Sequence, residues 1–302
     1  MTNLSTSELM KHLKPVSGAA VELSDPERRA LQRRLTGVLA DIDRVCRANG
    51  ISYFLSGGTA LGAVRHGGFI PWDDDLDVNF ARAEFDRFVP AFRAACGDRY
   101  VLREPRDART NGTLLPRVRL KGTSVRDRLD IGETECGAFA DIFVFENAFD
   151  NAVLRRIHGF GSLALGLLVS VRKFWRDRKG LLELLAGNPA AVRAVRIKSA
   201  LGFLVAWLPM DACVHLANSW NGLCRNGRSR YVTCPSGRKH YFGEMGLRAD
   251  LCETEDIGFE GLTVMISRGV GSYLAKLCGP DYMTPPPAAR RERHLFLRPF
   301  SI

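Results

Sequence analysis

The sequence predicts an α/β (α+β) fold, with a mixed-sheet core in its first half and a helical, basic C-terminal half. Three observations carry that prediction. Strand-like and helix-like segments alternate from about residue 24, and further strands follow up to about 150. From 151 the texture changes to helical stretches with basic flanks. The charge divides at the same place: residues 1–150 hold 21 Lys+Arg against 22 Asp+Glu, and residues 151–302 hold 22 against 11. The 302 residues, 46% hydrophobic and 25% charged, are enough to bury a full core and ordinary for a globular protein. The expected organisation is an N-terminal arm (1–23), a mixed-sheet core (24–150) and a helical basic region (151–302) whose end folds back on the core.

The elements follow in order. Ser24-Asp25-Pro26-Glu27 reads as a capped helix start, Leu31, Leu35, Val38, Leu39, Ile42 and Val45 form its apolar stripe, and Asn49-Gly50 stops it. Residues 51–55 form a short buried strand that runs into Ser56-Gly57-Gly58-Thr59 and a small-residue helix over 60–64. A turn-rich loop, 66–72, delivers the chain to a strand over 73–80. Residues 82–95 are an amphipathic helix with Phe85, Phe88, Val89 and Phe92 inward, and strands are expected at 100–103, 115–120 and 139–145.

In the second half, 160–171 and 200–217 are strongly apolar. The first is too short to span a bilayer and the second carries Pro209 and Asp211, so each is either a packed core helix or an interfacial one. Residues 218–248 read as loop, 259–266 as a hairpin and 271–277 as a short helix. The eight cysteines include no CxxC pair, so they are expected to be reduced, buried fillers rather than a disulfide or zinc framework. Without a secretory h-region at the start, the expected location is cytoplasmic, with a peripheral contact at the inner membrane face as a further option.

Three elements carry chemistry. Gly57-Gly58, between a strand and a helix, lets backbone N–H groups approach a phosphate at a helix N-terminus. Asp73, Asp75 and Asp77 alternate with Leu76 and Val78, so three carboxylates share one strand face. Such crowding asks for a cation, and all-oxygen ligands suit Mg²⁺ or Mn²⁺. Asp141 stands inside the apolar run Ala140–Val144, where a carboxylate needs a metal or a strong donor.

These residues match a known pattern. Residues 55–78, LSGGTALGAVRHGGFIPWDDDLDV, closely resemble the signature of the LicD family of phosphotransferases, which includes fukutin and fukutin-related protein. The 140–145 segment resembles the family's Asp-Ile-Phe motif. Phe259-Glu260-Gly261, Tyr273-Leu274 and the stretch from Gly279 to His294 resemble its C-terminal signature. The resemblance implies a nucleotidyltransferase-like core that transfers phosphocholine from CDP-choline, or a related phospho-alcohol from a CDP donor, onto a cell-envelope glycan such as lipopolysaccharide or teichoic acid. It implies Asp75, Asp77 and Asp141 as the catalytic carboxylates and metal ligands, with Asp141 the third of the set and Asp73 a secondary candidate. Gly57, Gly58 and Thr59 would cradle phosphate, and Arg65, His66, Arg119, Lys121, Arg291 and His294 are candidates for binding substrate. The partners expected are the CDP-alcohol, a glycan or lipid-linked glycan acceptor, and an anionic membrane surface.

Two other readings stay open on the residues alone. The same carboxylates serve a nucleotidyltransferase that releases pyrophosphate. A basic nucleic-acid-binding protein is disfavoured, because the cationic half lacks interleaved aromatics and the aspartates repel phosphate without metal.

Overall fold

The computed structural model describes residues 20–133, 135–287, 291 and 296–302. It has the mixed α/β character expected, with helices and a mixed sheet. Chain order begins with β1 (Ala20–Val21) and α1 (Asp25–Ala48), then β2 (Phe54–Leu55), α2 (Gly57–His66), β3 (Asp77–Ala81) and α3 (Arg82–Cys96). β4 (Tyr100–Arg103), β5 (Arg117–Leu120) and β6 (Phe139–Ala148) follow. The helical half contains α4 (Ala152–Leu184), α5 (Pro189–Phe203) and α6 (Met210–Asn221). The remainder is β7 (Tyr231–Thr233), α7 (His240–Gly243), β8 (Gly246–Leu247), α8 (Arg248–Cys252), β9 (Thr254–Phe259), β10 (Leu262–Ser267), α9 (Val270–Cys278) and β11 (Phe296–Leu297).

The main sheet runs β2-β3-β6-β5-β4, with β7 and β8 continuing from the far end of β6. Among the described residues only β3 and β6 are parallel, and every other pair is antiparallel. β6 reaches all three of its neighbours because it is long: residues 139–141 pair with β5, 141–145 with β3 and 146–148 with β7. One core unites the sheet with α1 and α3 through Leu31, Leu35, Phe80, Phe88, Phe92 and Ile142. The capping box that starts α1 is formed, with the Ser24 N–H donating to Glu27 at 2.9 Å.

Several expectations change. Residues 20–23 are docked rather than loose, since β1 pairs with β11 and Leu23 is buried; residues 1–19 lie outside the described residues. The strand expected over 73–80 pairs only from Asp77, although burial alternates from Asp73 to Val78 as foreseen. The region 218–248 is not plain loop: β7 and β8 extend the sheet there. The apolar run 160–171 is the middle of a 33-residue helix, so α4 is, by length and composition, long and apolar enough to cross a membrane. The run 200–217 is instead broken into α5 and α6 ahead of Pro209, which lacks an N–H and fits just before a helix start.

The end of α4 docks on the core. Lys173 donates to the Leu129 carbonyl at 2.9 Å and pairs with Asp177, and Arg176 pairs with Glu133. Five cysteines are buried, and among the described residues all eight are free thiols.

Candidate active site

The site is a row laid across four strands at one end of the sheet. On β5, Arg117 is the register partner of Asp141; on β6, Asp141 is in turn the partner of Asp77. β2 runs out beside Asp77, whose carbonyl accepts the Ser56 N–H at 3.0 Å. The backbone locks the centre of the row, with the Asp141 N–H donating to the Leu76 carbonyl at 2.8 Å. Leu76 and Val78 are fully buried, which leaves Asp75 and Asp77 half-exposed on the opposite face of the strand.

α2 begins directly against these acids. Gly57 sits at φ +47, and a Cβ there would lie 3.0 Å from Asp77 Oδ2. A Cβ on Gly58 would lie 2.7 Å from Asp73 Oδ2. The two glycines therefore bring the positive end of the helix flush against carboxylates, a favourable electrostatic arrangement. Thr59, expected in the phosphate cradle, is fully buried, and its Oγ1 accepts the Asp77 N–H at 2.9 Å. It positions the acidic strand and does not line an open surface. Tyr273 also enters here: its Oη accepts the Gly57 N–H at 3.1 Å and lies 3.1 Å from Ser56 Oγ.

Asp141 is held by an arginine. Arg117 Nε donates to Asp141 Oδ1 at 2.5 Å and Nη2 to Oδ2 at 3.1 Å, while the same guanidinium reaches Asp127 and Asp130. Burial raises the Asp141 carboxyl above the usual range, against the opposing pull of Arg117. Arg117 itself stays charged, because Asp127 and Asp141 outweigh the cost of its burial. Arg119, a candidate phosphate ligand, is 1% exposed and paired with Asp130 under the Phe139 ring, so it supports this network and does not face solvent. Lys121 is exposed, but its Nζ donates to the Gly97 carbonyl at the end of α3, away from the acids.

A cationic rim gathers around Trp72, next to Asp73. The Arg291 guanidinium lies 4.0 Å and that of Arg65 6.0 Å from the Trp72 ring, and His66 meets the ring edge-on at 6.5 Å. Arg65 is tied to the Tyr282 carbonyl at 2.9 Å. Burial, then the charge of Arg65, lowers the His66 pKa. Arg291 is thus brought against Trp72 from the C-terminal segment, while His294 lies outside the described residues. The loop between α2 and β3 is clamped from two sides. Gln32 donates to the Asp73 carbonyl at 2.8 Å, and Glu260 accepts the Phe69 N–H at 2.9 Å from the β9–β10 turn.

The donor set suits a hard divalent cation in one form. Mg²⁺ is commonly held by one or two carboxylates with the remaining positions left to water and substrate phosphate. Asp75 and Asp77 offer that pair on one strand face. Among the described residues no three His, Cys, Asp or Glu side chains form a cation cage on their own, and Arg117 already engages both oxygens of Asp141. Asp127 and Asp130, which the sequence did not single out, gave no periodic or motif signal, and Trp72 was visible only as part of the 55–78 signature. Tyr273 was visible only within the C-terminal signature.

Comparison with known proteins finds a family match whose span includes Gly57, Asp75, Asp77 and Asp141. Residues 50–149 match the family profile described as LicD/FKTN/FKRP, nucleotidyltransferase domain. Lipopolysaccharide cholinephosphotransferase LicD of Haemophilus influenzae is 46% identical over 63 residues, covering 21% of this chain and 24% of that protein. Ribitol 5-phosphate transferase FKRP, from both mouse and human, is 56% identical over 34 residues, covering 11% of this chain and 7% of that protein. The chain therefore spans about a quarter or less of the length of these relatives.

Proposed function

Because residues 50–149 belong to the LicD/FKTN/FKRP nucleotidyltransferase family, we propose that this chain moves a phospho-alcohol from a CDP-alcohol donor onto a cell-surface glycan or its lipid-linked precursor. The observation that carries the reading is the register of Asp77 with Asp141 beside Asp75 and the N-terminus of α2. The relatives' names support a phospho-alcohol as the transferred group, with phosphocholine and ribitol phosphate as the two chemistries to try first.

Asp75 and Asp77 would hold Mg²⁺ or Mn²⁺, which supplies neutralisation of the charge on the donor phosphates. Gly57 and Gly58 allow those phosphates to approach the start of α2 without meeting a Cβ. Arg65 and Arg291 around Trp72 offer cations, and Trp72 with His66 offers a stacking surface, for the nucleotide end of the donor. Asp141 orients the acceptor hydroxyl and takes its proton, since burial makes this carboxylate the better base. The acceptor oxygen bonds to the phosphorus that bears the alcohol, the bond from that phosphorus to the bridging oxygen breaks, and its electron pair leaves with CMP. Phosphoryl transfer of this kind is mainly positioning and charge neutralisation, which suits a site made of fixed backbone and carboxylates.

The test is product analysis. The protein with Mg²⁺, an acceptor glycan and a panel of CDP-alcohols and CTP is expected to release CMP from at least one CDP-alcohol. Pyrophosphate from CTP, with no CMP from any CDP-alcohol, would replace this reading with nucleotidyl transfer.

A further inference from the structure

The helical half presents an apolar face to solvent. On α4, Val153, Ile157, Phe160 and Leu167 follow one another at helical spacing and are 63%, 58%, 65% and 56% exposed. The opposite side of the same helix is packed: His158 bonds Tyr241 Oη at 3.0 Å and the Trp220 carbonyl at 2.7 Å, and Ser162 bonds Asn221 at 2.7 Å. The exposed stripe continues beyond α4. Phe242 stacks edge-on against Phe160 at 5.3 Å, and Phe203, beside Trp175 at 5.1 Å, leads through Leu204 to Trp207, which is 79% exposed. Isolated exposed apolar side chains are common, but aromatic and aliphatic side chains contiguous along a helix and its neighbours mark a contact surface.

Charge selects the occupant. Residues 151–230, which contain this face, hold 13 Lys+Arg against 3 Asp+Glu. Arg156 is exposed one residue before Ile157, and Arg193 and Arg196 are exposed on the turn that precedes Ile197 and Leu201 of α5. Aromatic and aliphatic residues bordered by arginine are the pattern of a surface that sinks partly into an anionic interface. A spanning arrangement is disfavoured, although α4 is long enough for one. Its C-terminal half is fixed to the core by Lys173 and Arg176, and its inner side is covered by α5, α6 and α7.

We infer that the exposed face of α4, with Phe203, Leu204 and Trp207, docks flat on an anionic phospholipid bilayer, basic residues against headgroups and aromatic side chains below them. The inference stands on this face alone. It holds or fails independently of the transfer reaction, because its readout is binding and not turnover.

The experiment uses the full chain and vesicles of phosphatidylcholine alone or mixed with phosphatidylglycerol, in flotation at low and high salt. Binding to the anionic vesicles is expected, falling steeply as salt shortens the screening length. Phe160→Glu and Trp207→Ser, both at exposed positions, are each expected to weaken partitioning about tenfold while leaving the melting temperature unchanged. Tryptophan emission is expected to shift blue on binding, and Trp207→Phe to remove that shift. Equal binding to neutral vesicles, wild-type binding by both variants, or a stable dimer that Phe160→Glu dissociates without any vesicle binding would each overturn the inference.

Discussion

Asp77 and Asp141 are direct register partners across the parallel β3–β6 pair. Their backbones are fixed by ladder bonds, and their carboxylates differ in surroundings. Asp77 is half-exposed at the start of α2, whereas Asp141 is buried and gripped by Arg117. The pair therefore divides into a half-exposed carboxylate and a buried one whose pKa burial raises against the pull of Arg117.

Divalent metal binding follows from the open pair. In the presence of a CDP-alcohol, Asp75→Asn and Asp77→Asn are each expected to weaken Mn²⁺ binding by about tenfold or more, read by electron paramagnetic resonance. The melting temperature without metal is expected to hold or rise, since each change removes one of several crowded negative charges. Wild-type Mn²⁺ affinity in both variants would remove the metal from this strand.

Asp141→Asn separates a chemical role from a structural one. Arg117 keeps Asp127 and Asp130 as partners, so the variant is expected to fold. Its kcat is expected to fall about 100-fold or more while donor KM changes little, as for a group that acts in the transition state. Loss of folding in place of loss of kcat would make Asp141 a structural partner of Arg117.

Two glycines give opposite signs. A Cβ on Gly62 would stand 2.4 Å from the Gly68 carbonyl, backbone against backbone, so Gly62→Ala is expected to destabilise by about 1–3 kcal/mol. Gly37, inside α1, has nothing within 4 Å of its Cβ position, and Gly37→Ala is expected to stabilise by about 0.5–1 kcal/mol. Urea melts of the two variants check both signs.

The buried network predicts a pH effect. Arg117 and Arg119 face Asp127, Asp130 and Asp141, one acid more than the bases. Burial, then the charge of Asp127, raises Asp130 from 3.8 to about 6. The folded state thus holds this proton more tightly than the unfolded one. The resulting contribution to stability is full below the unfolded value and is lost as pH rises through about 6. Relative to Asp130→Asn, which cannot ionise, the wild type is expected to lose stability across that window, by at most about 1.4 kcal/mol per pH unit. A gap that widens in favour of the wild type as pH rises would contradict the assignment.

Much of the site was legible because it is local. The Gly-Gly turn, the alternating acids and the lone carboxylate in an apolar strand lie within short segments, and period-two alternation put Asp75 and Asp77 on one face before any fold was known. The rest depends on contacts distant in sequence. Arg119 sits at a strand position indistinguishable from that of an exposed arginine, yet the chain buries it against Asp130, which ends a single 3₁₀ turn between β5 and β6. Thr59 reads as a phosphate ligand until Asp77 is laid beside it. β7 and β8 escaped because their strands are two or three residues long and set among glycines and arginines. The 33-residue span of α4 was hidden by its charged second half, which reads as a separate segment.

The most direct test of the account is the rate of CMP release from CDP-choline and CDP-ribitol by the wild type and by Asp77→Asn, with Mg²⁺ and with chelator. The account predicts acceptor-dependent CMP release by the wild type, its loss on chelation, and a fall of about 1,000-fold or more in the variant, whose fold is retained. Chelator-resistant release, or near-normal turnover by Asp77→Asn, would contradict it.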